Sequence, residues 1–94
     1  MTPELVVVVS GPFGGPEVPR WGRVITEAAD LAPARLVVDL ADSPSIDAEA
    51  IVLLLQVHRR MVCADGRLTL RAPVPRVRRM LGLARVDHVL EVEP

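Results

Sequence analysis

Leu5-Val6-Val7-Val8-Val9 is an unbroken apolar run closed by Ser10-Gly11-Pro12. Such a β-branched run followed by a turn reads as a buried strand, and a central one is expected. From Phe13 to Pro19 the density of Gly and Pro argues against regular structure, and Pro19 then suits the first turn of a helix reaching about Leu31. Trp21, Val24, Ile25, Ala28 and Leu31 form the apolar stripe of that helix. Leu36-Val37-Val38-Asp39-Leu40 is a second continuous run, as expected of a strand covered on both faces. After Ala41-Asp42-Ser43-Pro44-Ser45 the period changes to a helical one from Asp47. Ala50, Ile51, Leu54, Leu55, Val57, Met61 and Val62 then fall on one broad arc, and Asp65-Gly66 stops the helix. Arg67-Leu68-Thr69-Leu70 alternates like a strand. Pro73-Val74-Pro75 introduces a short helix through Leu81, and Val86 to Val92 predicts a last, weak strand.

Strand and helix alternating with short connections imply right-handed crossovers and a mainly parallel sheet. At 94 residues, residues 1–94 are expected to form one domain, since a chain of this size buries only roughly 60–70% of its unfolded surface. Half the residues are hydrophobic but only Phe13 and Trp21 are aromatic, so the core must be aliphatic, which suits helices layered on a sheet. Eleven Arg and no Lys against twelve acids leave a net charge of −1, with no basic excess for a nucleic-acid backbone. A single cysteine, Cys63, cannot close an internal disulfide, and the cytoplasm is the expected compartment. Met1-Thr2-Pro3-Glu4 lacks the basic start of an export signal, and Leu5–Val9 is too short to span a bilayer. Basic residues that are all Arg, with abundant Ala, Val and Pro, suggest a bacterium of high GC content.

The segment Asp39 to Glu49 joins a strand end, a loop with Ser43 and Ser45, and a helix start at Asp47. Ligand sites of open α/β sheets gather at such carboxyl ends, and a helix N-terminus favours anions. Asp47 also reads simply as an N-cap and Glu49 as a first-turn acid. On the side of the helix away from the core lie Glu49, Val52, Leu53, Gln56 and Arg60, a mixture of aliphatic, acidic, amide and guanidinium groups that suits a protein partner. Isolated surface aliphatics are the alternative. His58 and His88 have no second ligand at metal-binding spacing, so no metal site is expected. Cys63 sits late in its helix, where nothing activates a thiolate. Gly11-Pro12-Phe13-Gly14-Gly15-Pro16 has Pro where a phosphate loop needs N–H donors. Arg76, Arg78 and Arg79 read as a solvated face. No catalytic residue and no cofactor is expected.

Leu36-Val37-Val38-Asp39-Leu40, then Ser45-Ile46-Asp47-Ala48-Glu49-Ala50-Ile51-Val52-Leu53-Leu54-Leu55, resemble the strand, loop and aspartate-led helix of STAS domains. That family includes bacterial anti-sigma-factor antagonists and the tails of sulfate transporters. Asp65-Gly66-Arg67-Leu68-Thr69-Leu70 and Val77 to Asp87 are similar to its later strand and helix. The resemblance implies an α/β, STAS-like fold with a mainly parallel four- to five-stranded sheet and helices packed on it. Antagonists of this type usually read Asp-Ser-Ser-Gly or Asp-Ser-Thr-Gly at the helix start, and the anti-sigma factor, a serine kinase, phosphorylates the hydroxyl before the glycine. Here Asp47 matches, but Ala48, Glu49 and Ala50 replace the rest, so Glu49 occupies the phosphoacceptor position and cannot be phosphorylated. It would either imitate the phosphorylated state in part, with about −1 charge against −1.5 to −2, or make a contact that needs no switch. Family members often start with one more strand, which leaves an edge here that a second copy could pair with.

The expected function is thus a non-enzymatic regulatory module resembling an anti-sigma-factor antagonist. Its partner surface comprises Ser43, Ser45, Asp47, Ala48, Glu49, Val52, Leu53 and Gln56, and its partner is an anti-sigma factor of the serine-kinase type, with neither nucleic acid nor membrane insertion. The alternative is a STAS-like accessory subunit on the ATPase of a phospholipid-trafficking ABC transporter. A phosphotransfer enzyme using His58 or Cys63 would need the reactive atom at a loop or helix start, where neither residue lies.

Overall fold

In the computed structural model, which describes residues 3–94, four parallel strands alternate with three helices. They are β1 (Glu4–Val8), α1 (Val18–Asp30), β2 (Arg35–Asp39), α2 (Ala48–Cys63), β3 (Arg67–Arg71), α3 (Pro75–Leu83) and β4 (Glu91–Glu93). The spatial order β1-β2-β3-β4 repeats the chain order. Each right-handed crossover therefore steps in the same direction, which puts all three helices over one face of the sheet. The core reflects this: Val7 and Val9, Leu36, Val38 and Leu40, and Leu68 and Leu70 share one cluster with Ile25, Leu54, Met61, Val77 and Leu81 from the helices.

That order corrects the expectation of a central first strand. β1 is at the sheet margin, and Val6 and Val8 are 46% and 48% exposed on the face without helices. β2, like β3 with its buried Thr69, is covered on both sides. Its Val37 faces away from the helices yet is fully buried, beneath a charged lattice. Arg35 reaches Glu93 at 2.7 Å, Glu4 at 3.4 Å, Glu91 at 3.7 Å and the Thr69 hydroxyl at 3.0 Å, while Arg71 holds Glu93 at 2.6 Å. The register sets Val6, Val37, Thr69 and Glu91 in one row and Val8, Asp39, Arg71 and Glu93 in another, so opposite charges face across strands. The Arg71 guanidinium, then that of Arg35, holds the Glu93 carboxyl below its ordinary value.

Element ends follow local chemistry. Past α2, the Gly66 N–H donates to Met61 O and the Asp65 N–H to Val62 O, closing the helix with Asp65 at φ 61°. Gly66 is required for packing: a Cβ there would lie 2.8 Å from Pro33 O and from the Met61 methyl. Other expectations need adjustment. α1 ends at Asp30, so Leu31 is 66% exposed. Val62 is exposed and Leu55 only half-buried, because the cover over α2 ends before that flank. Residues 86–90 form a turn that plugs the core with Val86 and Leu90, leaving a strand of only three residues. The Gly- and Pro-rich stretch holds a short 3₁₀ turn, Gly15–Glu17, and Phe13 bridges to Ile46 in parallel fashion. Met1 and Thr2, part of the segment read for an export signal, lie outside the described residues.

Candidate functional site

Two loops at the carboxyl ends of β1 and β2 are tied together before either helix begins. The Phe13 N–H donates to Ser45 O at 2.9 Å, and the Asp47 N–H to Phe13 O at 3.2 Å. Phe13 is fully buried beneath this junction. Ser43, expected at the surface, is fully buried instead, and its hydroxyl donates to Gly11 O at 2.9 Å and toward Ser45 O at 3.2 Å. It fastens the loops from inside, and a partner resting on the surface cannot reach it. Ser45 is half-buried, with its carbonyl engaged by the same two segments.

Asp47 is the knot of the junction. In extended conformation before α2, its Oδ1 accepts from the Ala50 N–H at 2.9 Å as an N-cap, while Oδ2 accepts from the Gly15 N–H at 2.7 Å. These bonds, led by that from Ala50, hold its carboxyl below the usual aspartate value. Gly14 allows the approach: a Cβ there would lie 2.6 Å from Asp47 Oδ2. Asp47 thereby fixes the start of α1 relative to the start of α2.

Between those starts runs an open groove of about 410 Å³, lined by Val18, Pro19 and Gly22 from α1 and by Ala48, Glu49, Val52, Leu53 and Gln56 from α2. Val52 is half-exposed and Leu53 half-buried. Gly22 opens the groove floor, since a Cβ there would touch the Leu53 methyls at 3.4 and 3.5 Å. Glu49 is exposed in the first turn of α2, where the helix dipole favours an acid. It enters none of the ion pairs among the described residues. Arg60, by contrast, is paired with Asp30 and joins α2 to α1. Of the residues singled out from sequence, Ala48, Glu49, Val52, Leu53 and Gln56 thus meet in one groove, and Asp47 braces it from behind. The α1 wall was not anticipated. Gly22 within an otherwise amphipathic helix was the available signal for it.

The sequence profile of the STAS domain matches residues 2–94. The chain belongs to the STAS domain family. Among solved structures, an anti-sigma factor antagonist from Mycobacterium paratuberculosis is similar with a TM-score of 0.89 and 23% identity, over 98% of this chain and 78% of that one. The anti-sigma factor antagonist SpoIIAA in its unphosphorylated form is similar with a TM-score of 0.82 and 18% identity, over 100% of this chain and 83% of that one. At these identities the likeness establishes a shared fold. No curated protein sequence matches this STAS domain.

A second recess, of about 420 Å³, lies on the other flank of α2 between Leu55, His58, Arg59, Val62, Cys63 and Val89. His58 Nδ1 is buried there without a hydrogen bond. Among the described residues of this STAS domain no three His, Cys, Asp or Glu side chains converge as metal ligands, and no helix is long and apolar enough to cross a membrane.

Proposed function

We propose that this STAS domain is a non-enzymatic binding module of the bacterial cytoplasm that acts as an anti-sigma-factor antagonist and docks its partner in the α1–α2 groove. The observation that carries this is an apolar trough with an unpaired carboxylate at its rim, on the side of α2 away from the sheet. Apolar floors with charged rims suit protein partners, since the floor supplies affinity and the rim orientation. The partner in this proposal is an anti-sigma factor of the serine-kinase type, contacting Ala48, Glu49, Val52, Leu53 and Gln56. Neither metal, cofactor nor nucleic acid takes part.

Glu49 takes the phosphoacceptor position and acts as a standing contact to a basic side chain of the partner. Its exposure beside Val52 supports this, because a partner covering the valine also covers the carboxylate. The sign of one substitution tests the idea. Removing a contact, by Glu49→Ala or Glu49→Ser, weakens binding by roughly tenfold. Removing a phosphate-like brake would tighten it. Capture of a transporter ATPase by the same groove, with no binding of an anti-sigma factor, would move the module to a phospholipid-trafficking transporter.

A further inference from the structure

Among the described residues, β1 hydrogen-bonds on one side only. Toward β2, the Arg35 N–H donates to Pro3 O and the Val9 N–H to Asp39 O, both at 3.0 Å. Backbone direction alternates along a strand, so residues of odd number turn their N–H and C=O groups to β2. Those of Glu4, Val6 and Val8 point out along the free edge. The side chains of Val6 and Val8 are also exposed, on the sheet face without helices. Natural edges are usually blunted by proline, lysine, a bulge or an inward charge. Between Glu4 and Val8 this edge has no proline, lysine or bulge, and its one charge, Glu4, lies at the strand's first residue.

We propose that a second copy of this chain pairs with this edge in antiparallel fashion about a twofold axis at Val7, giving a continuous eight-stranded sheet. This register sets Val6 opposite Val8 of the second copy and Val8 opposite its Val6. The outward N–H and C=O groups of each meet those of the other, and four valine side chains cluster on the open face. Shifting the axis to Val6 would instead set Glu4 against Val8. Charge also favours the twofold arrangement: Glu4, the one ionised side chain of the strand, ends up at opposite ends of the ladder in the two copies, so like charges stay apart. The α1–α2 groove, formed by the opposite layer of the molecule, stays outside the new contact. The inference is therefore independent of the proposed partner.

Sedimentation from low micromolar to near-millimolar concentration, with hydrogen exchange on the same samples, tests this. A monomer–dimer equilibrium is expected. The Val6 and Val8 N–H groups should exchange more slowly as concentration rises, while those of Leu5 and Val7, already bonded to β2, stay unchanged. Val6→Lys combined with Val8→Lys places like charges across the twofold axis and should weaken the dimer by roughly 100-fold. Both side chains are already at the surface, so the melting of the monomer serves as the folding control. A chain that stays monomeric throughout overturns the proposal. So does a dimer that tolerates both lysines, or one that protects neither Val6 nor Val8.

Discussion

Replacing Asp47 by alanine removes two acceptors in one step. Loss of the N-cap costs about 1 kcal/mol. The bond from the Gly15 N–H to a carboxylate is worth about 1.5 kcal/mol at most in this half-exposed position, so the sum is roughly 2 kcal/mol. For a domain of this size that lowers the melting temperature by roughly 8–16 °C, measured by circular dichroism at neutral pH. Asp47→Asn retains a capping oxygen but gives up the charge, and should lose about half as much. Acid supplies a further check. The folded pKa of Asp47 is depressed, so its contribution is present above the ordinary value of 3.8 and lost as pH falls through the lower folded value. The gap between the native chain and Asp47→Asn should therefore narrow below about pH 3.8. Gly14→Ala extends the test: its Cβ would press on Asp47 Oδ2, so its cost should fall by about 1 kcal/mol or more in the Asp47→Ala background. A loss below about 0.5 kcal/mol for Asp47→Ala, or equal losses for Ala and Asn, would refute the two-acceptor argument.

Ser43→Ala should cost about 1–3 kcal/mol in urea denaturation, because it strands the Gly11 carbonyl inside the loop junction, whereas Ser45 O keeps the Phe13 N–H. Glu93→Gln should flatten the acid limb of the stability curve. The lowered pKa of Glu93 means that its pairing with Arg71 and Arg35 stabilises above the ordinary value of 4.5 and fades as pH falls below it; an unchanged acid limb would count against that lattice. Gly22→Leu should fill the groove and weaken partner binding while leaving the melting temperature within a few degrees, since its Cβ would meet only the Leu53 methyls, at ordinary contact distance, and the groove beyond is open.

What could be read from sequence was whatever local chemistry determines. The Asp47 cap, the Asp65-Gly66 stop and the proline at the start of α3 mark element ends because each acts on its own few neighbours. The outer residues of α2 were legible because helical period alone separates Glu49, Val52 and Gln56 from Leu54 and Met61. Long-range placement was not. A run of valines has the same composition at the centre or margin of a sheet, and only the order of crossovers exposes Val6 and Val8. The bond from Gly15 to Asp47 joins residues 32 positions apart, so the second role of the cap was invisible. Ser43 looked like a surface hydroxyl because loops generally run over the surface, whereas this loop is pinned beneath Gly11. Val37 was expected to be covered and is buried, but on a face without helices, where Arg35, Arg71 and Glu93 pair with one another.

The groove as partner surface is tested most directly by calorimetric titration of the purified chain with each serine-kinase-type anti-sigma factor of its source organism, alongside Leu53→Asp and Glu49→Ala. One factor should bind the native chain. Leu53→Asp should weaken that complex by roughly 100-fold and Glu49→Ala by roughly tenfold, with both variants melting as cooperatively as the native chain. Binding that neither substitution disturbs, or no binding by any such factor, would contradict the assignment.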